Sequence, residues 1–401
     1  MSTFNIQSAR EAFPALKQNQ VFFENAGGSQ TLGSVVEAIT NYLTKTNVQL
    51  GATYPTSVKS SQLYAEGYEA AAKYINSPTE NIVLGSSTTQ LFRNLSFAFK
   101  FPAGSELVIS SIDHEANIAA WLDLADRLSL KIKWWTPKSK ENPKLLASDL
   151  PELLTDKTVL VTCTHASNVL GTIHDIKAIA AEVHKIKDAV LCVDGVAYSP
   201  HRHLDMQDLG VDFYCFSWYK VYGPHIAMLY ASPLGMSTTK SLGHYFNPHA
   251  TLQHKLGLAG SSYELTAAIP AVVAYIGASP KETWSAIEKH EGELQTLLLD
   301  YLNSRKDVTI YGEKSADTKL RVATISFTVA GWKSKDVVDK VEELSNGEMA
   351  IRWGGMYSVR LLEDVLGLGY DGVVRVSMVH YNTVDEVKRL IGLFEQVLEK
   401  K

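Results

Sequence analysis

The sequence predicts an α/β protein built on a largely parallel sheet, with a smaller α/β unit toward its C-terminus. From about residue 80, short apolar runs such as "NIVLGSS", "ELVISSI", "TVLVTCT" and "AVLCVDG" alternate with segments whose apolar residues recur every three or four positions. Strands buried on both faces are near-continuous apolar runs, whereas the helices between them have the longer period. The alternation therefore indicates a parallel sheet covered by helices.

The elements follow one another in an order that also predicts the domain limits. The segment 236–262 follows the strand runs "KIKWW", "FYCFSWY" and "IAMLYA". It is rich in Gly, Ser and His, which indicates a domain boundary or an extended segment at the surface. Two helices, "YELTAAIPAVVAYIGA" and "TWSAIEKHEGELQTLLLDYLNS", come next. "VATISFTV" and "VVRVSMV" are then the clearest strands, and "VDEVKRLIGLFEQVLEK" is a closing helix. We expect a large domain over residues 15–262 and a small domain formed by 263–401 with 1–14.

The amino-acid composition and net charge limit the classes of protein to which this chain could belong. Hydrophobic residues make up 45% and charged residues 20%, with a formal net charge of −5, which is typical of soluble globular proteins and does not favour nucleic-acid binding. No apolar stretch reaches the roughly 18 residues that a membrane helix needs. Cys163, Cys192 and Cys215 lie in or beside apolar runs and form no metal-type pair, so we expect buried thiols, no metal site and a cytoplasmic protein.

Polar residues lie at the ends of the predicted strands, where ligands gather in sheets of this type. They are found in "VLGSSTTQLF", "SSIDHEAN", "THASNVLGT", "CVDG" and "CFSWYK", and the candidates are Ser87, Thr88, His114, Asn168, Asp194, Ser217, Tyr219 and Lys220. Each has an ordinary alternative. The Ser-Thr run could cap a helix, Asn168 could shape a turn, Asp194 could begin a loop, and His114 or Lys220 could be structural.

Taken together, these residues match the needs of pyridoxal phosphate. Small hydroxyl residues at a helix start favour a phosphate, because free backbone N–H groups and the helix dipole point at it. Asp194 could pair with the pyridine nitrogen, and Lys220 could bind the aldehyde as an imine. The aromatic and apolar neighbours of Lys220 in "FSWYKVYGPH" should lower its pKa and supply the neutral amine that attacks an aldehyde.

At this point the sequence resembles the class V aminotransferase family, which includes cysteine desulfurases and isopenicillin N epimerase-like proteins. The resemblance runs from "VFFENAGGSQ" to "VVRVSMVHYNTVDEV" and rests on "DHEAN", "HASNVLGT", "VDGVAYSPHR", "YKVYGPH" and "VRVSMVHYNT" in this order. It implies a fold-type I pyridoxal phosphate enzyme in which Lys220 holds the cofactor and moves protons, and His114 stacks on its ring. It also implies that Asn168 contacts the 3′-hydroxyl side and Asp194 keeps the ring nitrogen protonated.

The resemblance also implies which residues bind the phosphate and the substrate, and how the subunits assemble. It implies that Ser87, Thr88, Ser217 and Tyr219 meet the phosphate, and that Ser261 in "LAGSSYE" completes that cup in the other subunit of a homodimer with shared active sites. Arg375 would receive the α-carboxylate of the amino acid substrate, although a surface ion pair is its alternative. In "ENAGG", Ala26 and Gly27 would line the substrate side, unless this is an ordinary turn.

Two departures from the desulfurase pattern bear on the reaction. No cysteine follows Cys215, and the loop that carries the persulfide-forming cysteine in desulfurases reads "IRWGGMYSVRLLEDV" here. Position 197 is alanine, where desulfurases commonly carry a glutamine that touches the 3′-oxygen. The loop instead offers Trp353, Met356 and Tyr357, which suit an apolar or cationic substrate tail or could pack between domains.

The resemblance implies an enzyme that binds an α-amino acid as an external aldimine and forms a carbanion at Cα. A lyase or replacement reaction, or a biosynthetic condensation or cyclisation like that of the loline-type bicyclase of alkaloid biosynthesis, fits the cysteine-free loop better than persulfide-forming desulfuration. The alternatives are an aminotransferase, a cysteine desulfurase or C–S lyase, and a catalytically silent scaffold.

Overall fold

The computed structural model describes residues 5–398. Residues 1–4 and 399–401, which include the first and last positions of the predicted small domain and the end of its closing helix, lie outside this range. The strands are β1 Val21–Phe22, β2 Ile82–Gly85, β3 Glu106–Ser110, β4 Lys131–Trp135, β5 Thr158–Thr164, β6 Val190–Asp194, β7 Phe213–Ser217, β8 Ala227–Ala231, β9 Val308–Tyr311, β10 Thr324–Val329, β11 Met349–Ala350, β12 Arg352–Gly354 and β13 Val373–Ser377.

The helices lie mainly between these strands. They are α1 Ile6–Glu11, α2 Gly33–Lys45, α3 Pro55–Tyr74, α4 Thr88–Ala98, α5 Ala116–Leu128, α6 Ile176–Val183, α7 Met206–Leu209, α8 Pro233–Thr238, α9 Leu252–Leu256, α10 Tyr263–Thr266, α11 Ile269–Ile276, α12 Pro280–Ser304, α13 Ser334–Leu344 and α14 Val384–Leu398. The single helix predicted at "YELTAAIPAVVAYIGA" was wrong, because α10 and α11 are separate. Pro270 lies in the first turn of α11, where its missing N–H is tolerated, whereas it would break a continuous helix.

The large sheet has seven strands in the order β2-β8-β7-β6-β5-β3-β4. Neighbours from β7 through β6, β5 and β3 to β4 are parallel, whereas β8 runs antiparallel to both β2 and β7. Strands β3, β6, β7 and β8 are buried along their whole length because helices pack on both faces of the sheet, as their apolar runs predicted. The predicted α/β class is confirmed.

A second sheet lies in the C-terminal part, with four antiparallel strands in the order β12-β13-β10-β9. The short strand β1 pairs in parallel with β11, so the segment after residue 20 joins this part of the molecule. Val21 and Phe23 accordingly pack in the same hydrophobic cluster as α12, α13 and α14. The domain limits at residues 14 and 262 stay a prediction. Across residues 5–398, no helix combines the length and apolar character needed to cross a bilayer.

Candidate active site

One pocket lies at the carboxyl ends of the parallel strands of the large sheet. Asp194 ends β6, Ser217 ends β7, and Lys220 lies in the single 3₁₀ turn that follows β7. The pocket is lined by Ser87, Thr88, Thr89, His114, Ala116, Thr164, Asn168, Asp194, Val196, Ala197, Ser217, Tyr219 and Lys220. The structure therefore brings together the eight strand-end candidates that the sequence placed around a cofactor.

Lys220 is buried, and its amine has no carboxylate partner at salt-bridge distance among the described residues. Its Nζ donates a 2.6 Å hydrogen bond to the backbone carbonyl of Ala26. Burial lowers the pKa of Lys220 to about 8; the guanidinium of Arg375 adds to this shift, whereas the carboxylates of Asp194 and Glu24 oppose it. An appreciable fraction of the amine is therefore neutral near pH 7 to 8, which is the form that reacts with carbonyl groups.

Asp194 is the buried acidic group of the pocket. Its Oδ1 accepts a 2.9 Å hydrogen bond from the backbone N–H of Val196. Burial raises the pKa of Asp194 to about 6, while that hydrogen bond and the positive charge of Lys220 oppose the rise. Burial removes the water that would stabilise the ionised carboxylate. A cationic N–H partner replaces that stabilisation and favours the ionised form of Asp194.

The hydroxyl groups predicted to hold the phosphate lie beside the start of α4. Ser87 caps this helix by accepting a 3.1 Å hydrogen bond from the N–H of Gln90, so its capping role is real. Thr88 Oγ1 and Ser217 Oγ lie 2.8 Å apart. The ring of Tyr219 stacks on His225 with 4.8 Å between centroids. An anion here would meet hydroxyl donors and the positive end of a helix dipole.

His114 lies at the pocket wall with Tyr357 beside it. Its Nδ1 accepts a 3.1 Å hydrogen bond from the N–H of Ala116, and its ring centroid is 5.3 Å from that of Tyr357. Burial, and then the charges of Lys220 and Arg375, lower the pKa of His114 to about 4. The imidazole is therefore neutral at physiological pH, which suits stacking on an aromatic ring.

Asn168 connects the pocket to the C-terminal loop. Its Nδ2 donates to the carbonyl of Met356 at 3.0 Å, and its Oδ1 accepts from Ser358 Oγ at 3.0 Å. Met356 and Tyr357 both have positive φ, of 44° and 60°. Two consecutive non-glycine residues in this region cost of order 1–3 kcal/mol each, so the hydrogen bonds of Asn168 help to hold a strained loop.

Arg375 lies on β13 and is almost fully buried. Its Nη1 donates to the backbone carbonyl of Asn168 at 2.9 Å, and its Nη2 donates to Glu24 Oε1 at 3.1 Å. The same oxygen accepts from Arg352 Nη1 at 3.0 Å. Burial lowers the pKa of Arg375 to about 10, and Glu24 opposes that shift. The space over Gly27, predicted to admit a ligand, is taken by the Glu24 carboxylate in this structure.

Ser261 does not line the pocket of its own chain. Its Oγ lies 3.0 Å from the hydroxyl of Tyr64, on the segment that precedes α10. This placement is compatible with its prediction, which put Ser261 in the site of a second subunit. The role stays a prediction.

Sequence reasoning missed two acidic residues. Glu24 bridges Arg375 and Arg352, and its position in "ENAGG" gave no signal of that contact. Asp113 is fully buried beside the pocket, where Asn117 Nδ2 donates to its Oδ2 at 2.6 Å and burial raises its pKa to about 7. Its place directly before His114, at the end of β3, is the signal that could have found it.

The fold resembles that of solved cysteine desulfurases. The structure of the cysteine desulfurase from Thermococcus onnurineus NA1 matches over 100% of both chains with a TM-score of 0.88 and 23% sequence identity. At that identity the likeness shows the fold, which is that of the fold-type I enzymes.

The sequence comparisons place the chain in a family. The model of the family described as aminotransferase class-V matches residues 21–390, so the chain belongs to the class V aminotransferase family. It is 54% identical over 401 residues to the aminotransferase-like protein FGM3 of Gibberella zeae, covering 99% of each. It is also 38% identical over 408 residues to the cysteine desulfurase-like protein ustD of Aspergillus flavus, covering 100% of this chain and 92% of that protein.

The cofactor of this family is pyridoxal phosphate, and the pocket fits it. A buried lysine without a carboxylate partner, a buried aspartate with a raised pKa and hydroxyl groups at a helix start are suited to its aldehyde, ring nitrogen and phosphate respectively. Pyridoxal phosphate is therefore the cofactor of this chain.

The low pKa of Lys220 predicts how fast the cofactor attaches at each pH. Only the neutral amine attacks an aldehyde, and the pKa of Lys220 is about 8, compared with about 10.4 for an unperturbed lysine. We expect the attachment rate of cofactor-free protein to rise up to about pH 8 and then level off. Stopped-flow absorbance at saturating pyridoxal phosphate measures it. A rate that climbs about tenfold per pH unit up to pH 10 would contradict the assignment.

Proposed function

We propose that this class V enzyme binds an α-amino acid, loosens a bond at its Cα, and completes a lyase or replacement reaction, or a biosynthetic condensation or cyclisation. The observation that carries the proposal is the buried amine of Lys220, which lines the same pocket as Asp194 and, among the described residues, is held by the backbone carbonyl of Ala26 alone. A structural lysine would be expected to have a carboxylate partner or to reach water.

In this proposal each residue of the pocket has a separate role. When bound, pyridoxal phosphate supplies an electron sink that stabilises negative charge at the substrate Cα. Asp194 would keep the ring nitrogen protonated, and Thr88, Ser217 and the start of α4 would hold the phosphate. Lys220 would take and return the proton at Cα, because a base with a pKa of about 8 exchanges protons readily at physiological pH. Arg375 orients the substrate carboxylate with its planar donors.

The thiols of the chain argue against persulfide-forming desulfuration. Cys163, Cys192 and Cys215 lie inside strands of the large sheet and are buried. Burial raises the pKa of all three thiols, so none has the exposed, ionised character of a sulfur acceptor. The loop at residues 351–365 has no cysteine and places the exposed side chain of Tyr357 beside His114.

The bulky loop supports a substrate larger than cysteine. Trp353 and Tyr370 line the open groove next to this loop, where aromatic faces suit an apolar or cationic tail. Ring closure of the alkaloid-forming kind therefore belongs to the proposal. An aminotransferase reaction, a C–S lyase reaction and a silent scaffold are the alternatives that the experiment must separate.

For the assembly, we propose a cytoplasmic homodimer with shared active sites. The segment between α8 and α9 exposes Tyr245 and Phe246, with 95% and 69% of their surfaces accessible. Adjacent large apolar side chains at the surface often mark an interface. Ser261, which follows α9, would then reach the phosphate cup of the partner chain, and the three free thiols fit a reducing compartment.

The test is an absorbance spectrum from about 300 to 500 nm, recorded while single amino acids are titrated into the loaded protein. We expect one amino acid to shift the cofactor band, with the band returning after turnover and a product altered at its side chain. A band bleached by the amino acid and restored by a keto acid would identify an aminotransferase. Sulfide release from L-cysteine alone would identify a C–S lyase, and no spectral response would favour the scaffold.

A further inference from the structure

Two arginines face each other across neighbouring strands beside the active site. Arg352 on β12 is directly opposite Arg375 on β13 in their antiparallel pairing. Like charges in this position repel each other. The single oxygen Oε1 of Glu24 contacts both, at 3.0 Å and 3.1 Å, and neutralises part of the repulsion.

The contact with Glu24 uses a donor that a substrate carboxylate would need. A guanidinium binds a carboxylate best through two parallel N–H groups, and Nε and Nη2 form the lateral pair. Within residues 5–398, the buried Nε of Arg375 has no hydrogen-bond partner, whereas Nη2 uses one of its two N–H groups to bond to Glu24. Nη1 is held by the carbonyl of Asn168. A substrate carboxylate that binds Nε and Nη2 would therefore lie against the carboxylate of Glu24, and repulsion between the two negative charges favours the release of Glu24.

The side chain of Glu24 has open space beside it into which it could move away from Arg375. About a third of its side chain is exposed, and it lines an open groove of about 610 Å³ together with Arg352. The side chain of Arg352 is 47% exposed, compared with 3% for that of Arg375, so Arg352 can follow the carboxylate toward solvent. After such a movement Glu24 would keep one cationic partner and would not be left as an unpaired charge.

The exchange would also preserve the charge near Lys220. The positive charge of Arg375 lowers the pKa of Lys220, and the negative charge of Glu24 raises it. A substrate carboxylate that replaced Glu24 on Arg375 would restore the same balance. The balance of charges around Nζ of Lys220 would then be the same with and without substrate.

We propose that Glu24 is a displaceable internal ligand of Arg375, which it releases to the incoming substrate carboxylate while remaining bound to Arg352. Glu24 is thus a positioning residue that sets the affinity for the substrate carboxylate, and Arg352 is its receiver. This inference rests on the proposed function in one respect, namely that Arg375 binds the α-carboxylate.

The test is the dissociation constant of propionate for the cofactor-loaded protein, measured by calorimetry. Propionate has a carboxylate but no amino group, so it probes the arginine site without reacting. We expect Glu24→Gln to bind propionate at least about tenfold more tightly than the wild type, because no internal carboxylate competes. Glu342→Gln, which removes a groove carboxylate without a contact to Arg375, should change the constant less than about twofold.

The receiver role is tested by a double-mutant cycle. Arg352→Gln should weaken propionate binding in the wild-type background more than in the Glu24→Gln background, because only the former leaves Glu24 bound solely to Arg375. Arg375→Gln should abolish binding in both. If Arg375→Gln abolishes binding but Glu24→Gln does not tighten it, Glu24 is a fixed clamp between two arginines and the inference fails alone. If propionate binds to none of these proteins, the substrate role of Arg375 fails as well.

Discussion

Lys220→Ala is expected to abolish the absorbance band of covalently held cofactor and to lower turnover by roughly a thousandfold or more. In the proposed mechanism the variant removes both the amine that joins the aldehyde and the base that moves the Cα proton. The fold should survive, because within the described part of the chain the side chain of Lys220 loses a single hydrogen bond, the one to the carbonyl of Ala26. Spectra and amino acid turnover of the purified variant, after addition of pyridoxal phosphate, measure the effect.

Lys255→Ala is the matched control for this variant. In residues 5–398 the amine of Lys255 also donates to backbone carbonyls alone, those of Met236 and Thr239, and burial likewise lowers its pKa. It lies outside the pocket, so its removal should leave the cofactor band and the turnover unchanged. A Lys220→Ala protein that kept the band, with a folded circular dichroism spectrum, would refute the central assignment.

Asp194→Asn is expected to weaken the binding of pyridoxal phosphate by about a hundredfold or more. Removing one member of a buried charge pair costs roughly 3–5 kcal/mol, since the other charge is left without compensation. In the proposed role of Asp194, that other charge would be the protonated ring nitrogen of the bound cofactor. The measurement is the dissociation constant of the cofactor, with the change in the absorbance maximum as a second readout of ring protonation.

Asp113→Asn is the control that distinguishes loss of the charge pair proposed for Asp194 from the general effect of removing a buried carboxylate. Asp113 is as deeply buried as Asp194 and has a raised pKa, yet it lies outside the pocket lining and bonds to Asn117. We expect this variant to alter the free energy of unfolding while leaving the cofactor constant within a few-fold of the wild type. Equal losses of cofactor affinity in both variants would show that Asp194 has no special partner.

The strand ends of the large sheet were predictable because they depend on local patterns. Near-continuous apolar runs fixed β6 and β7, and the first polar residues after each run had to emerge at the same edge of a parallel sheet. Asp194 and Lys220 therefore came out as neighbours without any knowledge of loop geometry. The hydroxyl groups before α4 followed from the same rule.

The substrate side was less predictable because its contacts join distant segments. Glu24 meets Arg375 because β1 pairs with β11 and Glu24 itself bridges to Ser377 at the end of β13, and these pairings are too short to leave a periodic signal. The hydrogen bond from Asn168 to the carbonyl of Met356 depends on positive φ at Met356 and Tyr357. Neither residue type suggests that conformation. The residue type of Gly27 likewise gives no signal that the Glu24 carboxylate lies over it in the folded chain.

The carbonyl that holds Lys220 also has a consequence for biosynthesis. The peptide of Ala26 is held by the C-terminal sheet, because its N–H donates to Ser377 Oγ at 2.8 Å, and Asn25 Nδ2 donates to the carbonyl of Ser377 at 2.9 Å. These contacts span about 350 residues, and such long-range contacts form late in folding. The ribosome must therefore synthesise the chain past Ser377 before the amine pocket can close, and a nascent chain truncated before Ser377 would expose an incomplete pocket.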